Sequence, residues 1–470
     1  MSPPENRAAA SSGGPERRPR AAILAAAALL FAANAARLSL PSLDDCFYAR
    51  KGVEMARTGG ALTVTWNHTP TFQNAPLQIW ALAGSFRLLG ESDFAARLPS
   101  ILMGLGILTG VMALGRLLWG EVEALTAGAL LLISPLFVNH ARRAMLEIPL
   151  TFWVVLAVLV VVWSRGAPRR LAFLALPLGA AILTKSVLGL VPLLVIAAAA
   201  LIDVDLRRAI RTPWLVVGVG LGLLLGAAWP IHQWQVHGTR AIDQHFIAEI
   251  ANRSTAGGFD LRHVLLSYPK ALLESFQPVV LLAVAALPRL LRTDAPSGSR
   301  LIAAWFVVPV VLYSLSSAHS PRYLFPILPA MALGGAFWLV RAFPRVATVV
   351  RFGAPILALL AAAIFWIAPQ TLARSGNDAF KFGSAISTRL AASEALPYHG
   401  TRYWGFANPI LYYQERYLEP PAASAAAAVA SARTRSRLLF ADRDRVGEIE
   451  AITPVEPIFA AGNGVLLELR

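Results

Sequence analysis

The chain has 470 residues, 56% of them hydrophobic and only 15% charged, with a mean hydropathy of +0.57, more apolar surface than a water-soluble core can hide. Its net charge of +15 would suggest nucleic acid in a soluble protein, but the basic residues fall in short clusters between apolar runs, as membrane topology signals do, and no nucleic-acid module is visible. Cys46 is the sole cysteine, which excludes an intramolecular disulfide, a Cys-rich zinc site and a CxxC redox pair.

In chain order, residues 1–20 are rich in Ala, Ser, Pro and Arg and read as a disordered basic tail. The apolar run that follows lacks a small-residue cleavage site, and more apolar runs come after it, so it reads as a retained anchor. A span needs about 20 apolar residues to cross about 30 Å of hydrocarbon. Eleven runs qualify: 22–40, 97–118, 122–139, 147–164, 171–184, 186–202, 213–231, 276–292, 301–316, 323–341 and 352–369. The pair at 171–202 is the shortest-limbed, with Lys185 between its halves. "RGAPRR" before it and "DVDLRRAIR" after it both look cytoplasmic, which demands an even number of crossings and therefore a hairpin.

Threading from a cytoplasmic N-terminus puts the clusters in "RGAPRR", "DLRRAIR", "RLLRTDAPSGSR" and "RAFPRVATVVR" inside. Loops 41–96, 140–146, 232–275 and 317–322, and everything after about 370, fall on the far side. One cluster breaks the pattern: "NHARRAMLE" leaves Arg142 and Arg143 outside, which makes them candidates for binding an anion. The run 76–90, with Trp80 and Arg87, suits a helix lying along the interface. Residues 370–470 read as a small α/β domain outside the membrane, with strand-like runs in "GTRYWGFANPILYYQE" and "RSRLLFADRDRV" and a helix in "AASAAAAVASARTR".

The far-side loops gather the chemistry. Asp44 and Asp45 stand directly after the first apolar run; a helix cap or turn accounts for such a pair, and so does a base placed where a lipid-linked donor meets a water-borne acceptor. Glu147, followed by Pro149, suits a helix N-terminus as well as a second acid. Lys185 and Arg322 fit snorkelling cations as well as phosphate ligands, and Tyr323 fits an aromatic belt. His232, His237, His245 and His263 share a loop without metal-ligand spacing, and Gly257 and Gly258 suggest a mobile lid.

"LDDCFYARKGVEMARTGG" resembles the first outer-loop motif of the GT-C-fold glycosyltransferases that use lipid-phosphate sugars, in the branch holding protein O-mannosyltransferases and the ArnT-like aminoarabinose transferases of lipid A. Asp44, Asp45, Tyr48, Ala49, Met55 and Gly59 take the motif's places. "FQNAPLQIW", "ARRAMLEIPLTFW", "LTKSVLGLVP" and "SPRYLFPILPAMAL" are similar to further segments in the family's order, and "GFANPILYYQER" to a strand pair of its soluble domain. The chain departs where the family has Glu-Lys and this sequence has Gln73 and Asn74, so a phosphate contact from that lysine does not carry over.

The resemblance implies a polytopic α-helical membrane protein of GT-C fold with about 11 to 13 spans, interfacial helices in loop 41–96, a transmembrane domain over 21–369 and a small α/β extracytoplasmic domain over 370–470. It implies an inverting transfer of a sugar from a polyprenyl phosphate to a lipid, glycan or protein acceptor; the Ala- and Arg-rich composition and small outer domain favour a bacterial inner membrane, and the threading makes the C-terminal domain periplasmic. Asp44, Asp45 and Glu147 are then the candidate catalytic acids, and Arg142, Arg143, Lys185, Arg322 and Tyr323 the candidate donor-phosphate ligands. Tyr48, His68, Asn74 and Gln78 are candidates for the rest of the pocket. Whether a divalent metal takes part is open, with Asp44 and Asp45 as its candidate ligands. A secondary transporter and a non-catalytic membrane assembly protein are the alternatives; transporters place charge mid-span and often carry internal repeats, whereas these charges sit at loop ends.

Overall fold

The structure, a computed structural model, describes residues 17–40, 43–251, 261–314, 320–367, 386, 388–391 and 394–470. Residues 1–16 of the expected tail, Gly257 and Gly258 lie outside that set, as does the side chain of His263.

Helix α1 (Arg17–Ala32) takes in residues 17–20 of the stretch expected to be disordered, where Arg20 pairs with Glu121 at the start of a neighbouring helix. Helices α2 (Leu43–Thr58) and α3 (Leu77–Leu89) follow and frame a two-residue-strand hairpin, β1 (Thr65–Trp66) and β2 (Thr69–Pro70). There follow α4 (Asp93–Leu118), α5 (Glu121–Leu132), α6 (Pro135–Ala141), α7 (Glu147–Trp163), α8 (Ala175–Lys185), α9 (Val191–Ile202), α10 (Val204–Ile210) and α11 (Pro213–His237). After them come α12 (Leu261–Ser275), α13 (Val279–Leu290), α14 (Ser299–Ser314), α15 (Leu328–Ala342) and α16 (Pro344–Ile367).

Among the described residues six helical runs are long and apolar enough to cross a bilayer: 93–118, 147–166, 168–202, 213–237, 321–342 and 344–367. Two broken pairs, α5 with α6 at 72° and Leu266–Ser275 with α13 at 120°, raise the number to eight if each makes one span. Helices α1 and α14, expected as spans, each have 16 described residues and border residues outside the described set. The run 168–202 is not one rod. A Cβ on Gly189 would meet the backbone of Ala181 and Ile182 at 2.3–2.5 Å, although a straight helix separates residues eight apart by about 12 Å. The chain therefore turns back locally after Lys185, through Ser186 at φ +47°.

Without water between them, these helices are held by close packing, which small residues permit. Gly218, Gly222 and Gly226 recur every turn on one face of α11; their added Cβ atoms would meet Leu171 O at 2.2 Å, Leu178 Cδ2 at 2.9 Å and Ile182 Cβ at 2.7 Å. The rest of α11 and most of α16 present exposed Leu, Val, Ile and Phe, as lipid-facing helices do.

The C-terminal part is a four-stranded mixed sheet, order β4-β6-β8-β7, where β4 is Tyr398–His399, β6 Leu438–Asp442, β7 Val455–Ala461 and β8 Gly464–Leu469. β3 (Ala395–Leu396) and β5 (Tyr417–Leu418) make a small parallel pair. Leu438, Phe440 and Leu466 point to one apolar cluster and Leu439, Ala441 and Leu467 to another, so both faces are covered and the strands read as unbroken apolar runs. Residues 425–433 are helical as expected, but residues 403–414 form helix α17 (Tyr403–Gln414) instead of strands. The buried set Tyr403, Phe406, Ala407, Ile410 and Leu411 has helical spacing, which outweighs the strand preference of its aromatic residues.

α17 lies on α2. Trp66 Nε1 donates to Asn408 Oδ1 at 3.1 Å, Tyr413 OH donates to Asp93 Oδ1 at 3.0 Å, and Arg57 pairs with both Glu91 and Glu415 at 2.5 Å. The sheet is thereby attached to the helix that begins with the two aspartates.

Candidate active site

The site grows from the first turn of α2, where carboxylates face a helix dipole that favours them. Successive helix residues point about 100° apart, so the two acids part company. Asp45 turns inward with 0% exposure: Oδ1 accepts the Ala144 N–H at 2.8 Å, and Oδ2 accepts Arg143 Nη2 at 2.8 Å and Nε at 3.1 Å. Asp44 turns outward, one-third exposed, with Oδ2 2.6 Å from Arg322 Nη1. The aspartates thus face two different guanidinium groups and do not form one chelate. Among the described residues no cluster of three or more His, Cys, Asp or Glu side chains is placed to hold a metal ion.

Glu147 opens α7, buried, with Oε1 3.5 Å from Lys185 Nζ and Oε2 without a hydrogen-bond partner among the described residues. Lys185 ends α8 and its ammonium stands 5.2 Å from the centre of the Tyr323 ring. Arg322, on the 3₁₀ turn Pro321–Ile327, lies within electrostatic reach of Asp44, Glu147 and Tyr48. His140 stacks at 4.8 Å on Phe325, and its Nδ1 donates to Leu136 O at 3.0 Å, which leaves a buried Nε2 without a partner among the described residues. Four separate stretches of chain therefore bring Asp44, Asp45, Arg143, Glu147, Lys185, Arg322 and Tyr323 together. A carboxylate open to water beside two cations and an aromatic ring suits proton abstraction next to a departing phosphate.

Other expected residues are placed differently. Arg142 turns away from Arg143, donating to Ala33 O and stacking at 4.4 Å on Phe365, because neighbouring residues of the 142–146 turn face opposite sides. Its buried guanidinium beside Arg97 has its pKa pushed down to about 10. His68 is exposed, not in the pocket: Asn67 and His68, at φ +51° and +60°, are the two-residue turn of the β1–β2 hairpin, and the His68 N–H donates to Glu54 Oε2. Gln78 is 1% exposed, with neither amide atom hydrogen-bonded among the described residues. Tyr48 lies one turn along α2 from Asp44, half-buried.

Two arrangements escaped the sequence reading. Asn74 Oδ1 accepts from Lys51 Nζ at 2.8 Å, and Lys51, fully buried, lies 3.6 Å from the Phe47 ring centre. The signal was the spacing of seven between Asp44 and Lys51, which places both on one helix face. The second is a clamp from the π-helical turn Asp243–Ala251: Gln244 Oε1 accepts the Phe72 N–H at 2.9 Å, and His245 Nδ1 donates to Phe72 O at 2.6 Å. His245 Nε2 then accepts from the Ser186 hydroxyl at 2.7 Å, fastening the residue after Lys185. Burial lowers the His245 pKa, in keeping with a neutral ring.

The helical bundle with its small sheet is similar in fold to the glycosyltransferase ArnT. ArnT from Cupriavidus metallidurans bound to undecaprenyl phosphate superposes with a TM-score of 0.75 at 18% identity, over 95% of this chain and 97% of that one. The oligosaccharyltransferase AglB of Archaeoglobus fulgidus, solved with an inhibitory peptide and a dolichol-phosphate, gives 0.56 at 12% identity over 95% and 74%. The sequence model of the dolichyl-phosphate-mannose-protein mannosyltransferases matches residues 73–232. The undecaprenyl phosphate-alpha-4-amino-4-deoxy-L-arabinose arabinosyl transferase 1 of Pseudomonas fluorescens is 29% identical over 302 residues, 62% of this chain and 54% of that protein. An Aquifex aeolicus protein is 26% identical over 299 residues, 62% of this chain and 58% of its own. The chain spans a little over half the length of these curated relatives.

Proposed function

We propose that the protein is an inverting glycosyltransferase that moves a sugar from a polyprenyl phosphate to a lipid, glycan or protein acceptor at the outer face of a bacterial inner membrane. Asp44 is the base: it takes the proton from the acceptor hydroxyl or amine as that atom attacks the anomeric carbon, and the bond from that carbon to the phosphate oxygen breaks. Lys185 and Arg322 receive the negative charge that builds on the leaving phosphate. Glu147 holds Lys185 in place, and Asp45, locked to Arg143 and the Ala144 N–H, fixes the start of α2.

The observation that carries this reading is the Asp44–Arg322 pair beside Lys185 and Glu147. At rest the acid and the cation neutralise each other; a donor phosphate competes for Arg322 and frees the carboxylate beside the sugar. The purified protein, offered a panel of polyprenyl phosphate sugars with extracted envelope lipids and glycans, is expected to consume one of them. Asp44→Asn is expected to remove that turnover with the thermal unfolding temperature unchanged. Undiminished turnover in that variant would overturn the assignment.

A further inference from the structure

An apolar recess in the bundle has none of Asp44, Glu147, Lys185 or Arg322 among its lining residues. The 72° break between α5 and α6 opens a cavity of about 590 Å³ among α1, α5, α6 and α16. Leu30, Leu132, Leu357 and Phe365 wall it, and Arg97 and Arg142 stand at one end. Arg143 also lines it but is turned to Asp45.

The charge at that end is one-sided. Arg97 is a brace that donates to Ala35 O and Leu38 O at 2.7 Å, Ser39 O at 2.8 Å and Arg142 O at 3.0 Å. Arg142 has the Ala33 carbonyl and the face of Phe365. Among the described residues no carboxylate meets either guanidinium, so two cations sit together, largely out of water, with no anion between them. A buried cation in that state is costly, and the second arginine adds repulsion, which is why the Arg142 pKa falls. A phosphate is the group that fits: doubly hydrogen-bonding, anionic and, on a membrane lipid, attached to a chain matching the walls.

We propose that this cavity binds an anionic glycerophospholipid, one acyl chain between α1, α5 and α16 and the phosphate on Arg142. The site is separate from that of the donor, whose phosphate meets Lys185 and Arg322, and it does not depend on the transferase reading because occupancy is measured without turnover.

The test uses the full chain in nanodiscs of phosphatidylcholine with and without phosphatidylglycerol, reading unfolding temperature and the lipid retained in native mass spectra. Phosphatidylglycerol is expected to raise the unfolding temperature of the wild type and to be retained. Arg142→Gln is expected to lower retention about tenfold. Ala361→Phe, which fills the apolar wall and keeps both arginines, is expected to do the same, so the test stands if the first variant fails to fold. Equal retention in wild type and Ala361→Phe would overturn the proposal. So would one-for-one displacement of phosphatidylglycerol by undecaprenyl phosphate, which would give the cavity to the donor.

Discussion

Two adjacent aspartates do different work because a helix turns about 100° between them. Asp45 has a buried ion pair and a backbone hydrogen bond to lose, so Asp45→Ala is expected to cost about 3 kcal/mol of stability, read as a lowered unfolding temperature. Asp44, exposed on the other side, is expected to tolerate substitution in folding and not in turnover. Lys185→Ala is expected to raise the donor KM about tenfold or more, since it removes a phosphate cation and leaves Glu147 buried without its partner. The residue types of this cluster were readable from the sequence, as was the gathering of Asp44, Glu147, Lys185 and Arg322 in one place. Their division of labour was not, since it follows from the phase of α2 and of the 142–146 turn. A one-residue difference in direction sends Arg143 to Asp45 and Arg142 to Phe365.

The loop elements show how backbone geometry stands behind the chemistry. The turn Asp243–Ala251 holds Phe72 at both its N–H and its carbonyl and reaches Ser186, whose positive φ lets the chain reverse just after Lys185. His245→Ala is expected to lower kcat/KM for the donor several-fold and to raise amide exchange at residues 72 and 186, without loss of the folded protein. Unchanged exchange would show that the clamp does not restrain the turn. A break at Lys185 within 171–202 was legible, but the clamp was not, because its partners lie 173 and 59 residues apart. α17 was misread for a local reason: a run dense in Tyr, Trp and Phe suggests strands, while its inward positions repeat every three to four residues.

At the scale of the molecule, the sheet and the bundle are tied by polar contacts from α17 to α2 and its hairpin. The Glu415 carboxyl is held below its usual pKa, chiefly by its hydrogen bond to Arg57. Its contribution is therefore complete above the ordinary carboxylate value and lost as pH falls through the lowered one. Proteolysis between the two parts is expected to quicken below that range, and Arg57→Gln is expected to show the quicker rate already at neutral pH. The membrane class followed from composition alone, since more than half of the residues are apolar. The number of spans did not, because broken pairs blur what a crossing is.

Because the first turn of α2 holds the two aspartates and its flank also carries the C-terminal unit, it serves as one lever with two ends. A nanobody that grips the sheet and tilts it ought to swing Asp44 off Arg322 and silence the protein from a distance, with every pocket residue untouched.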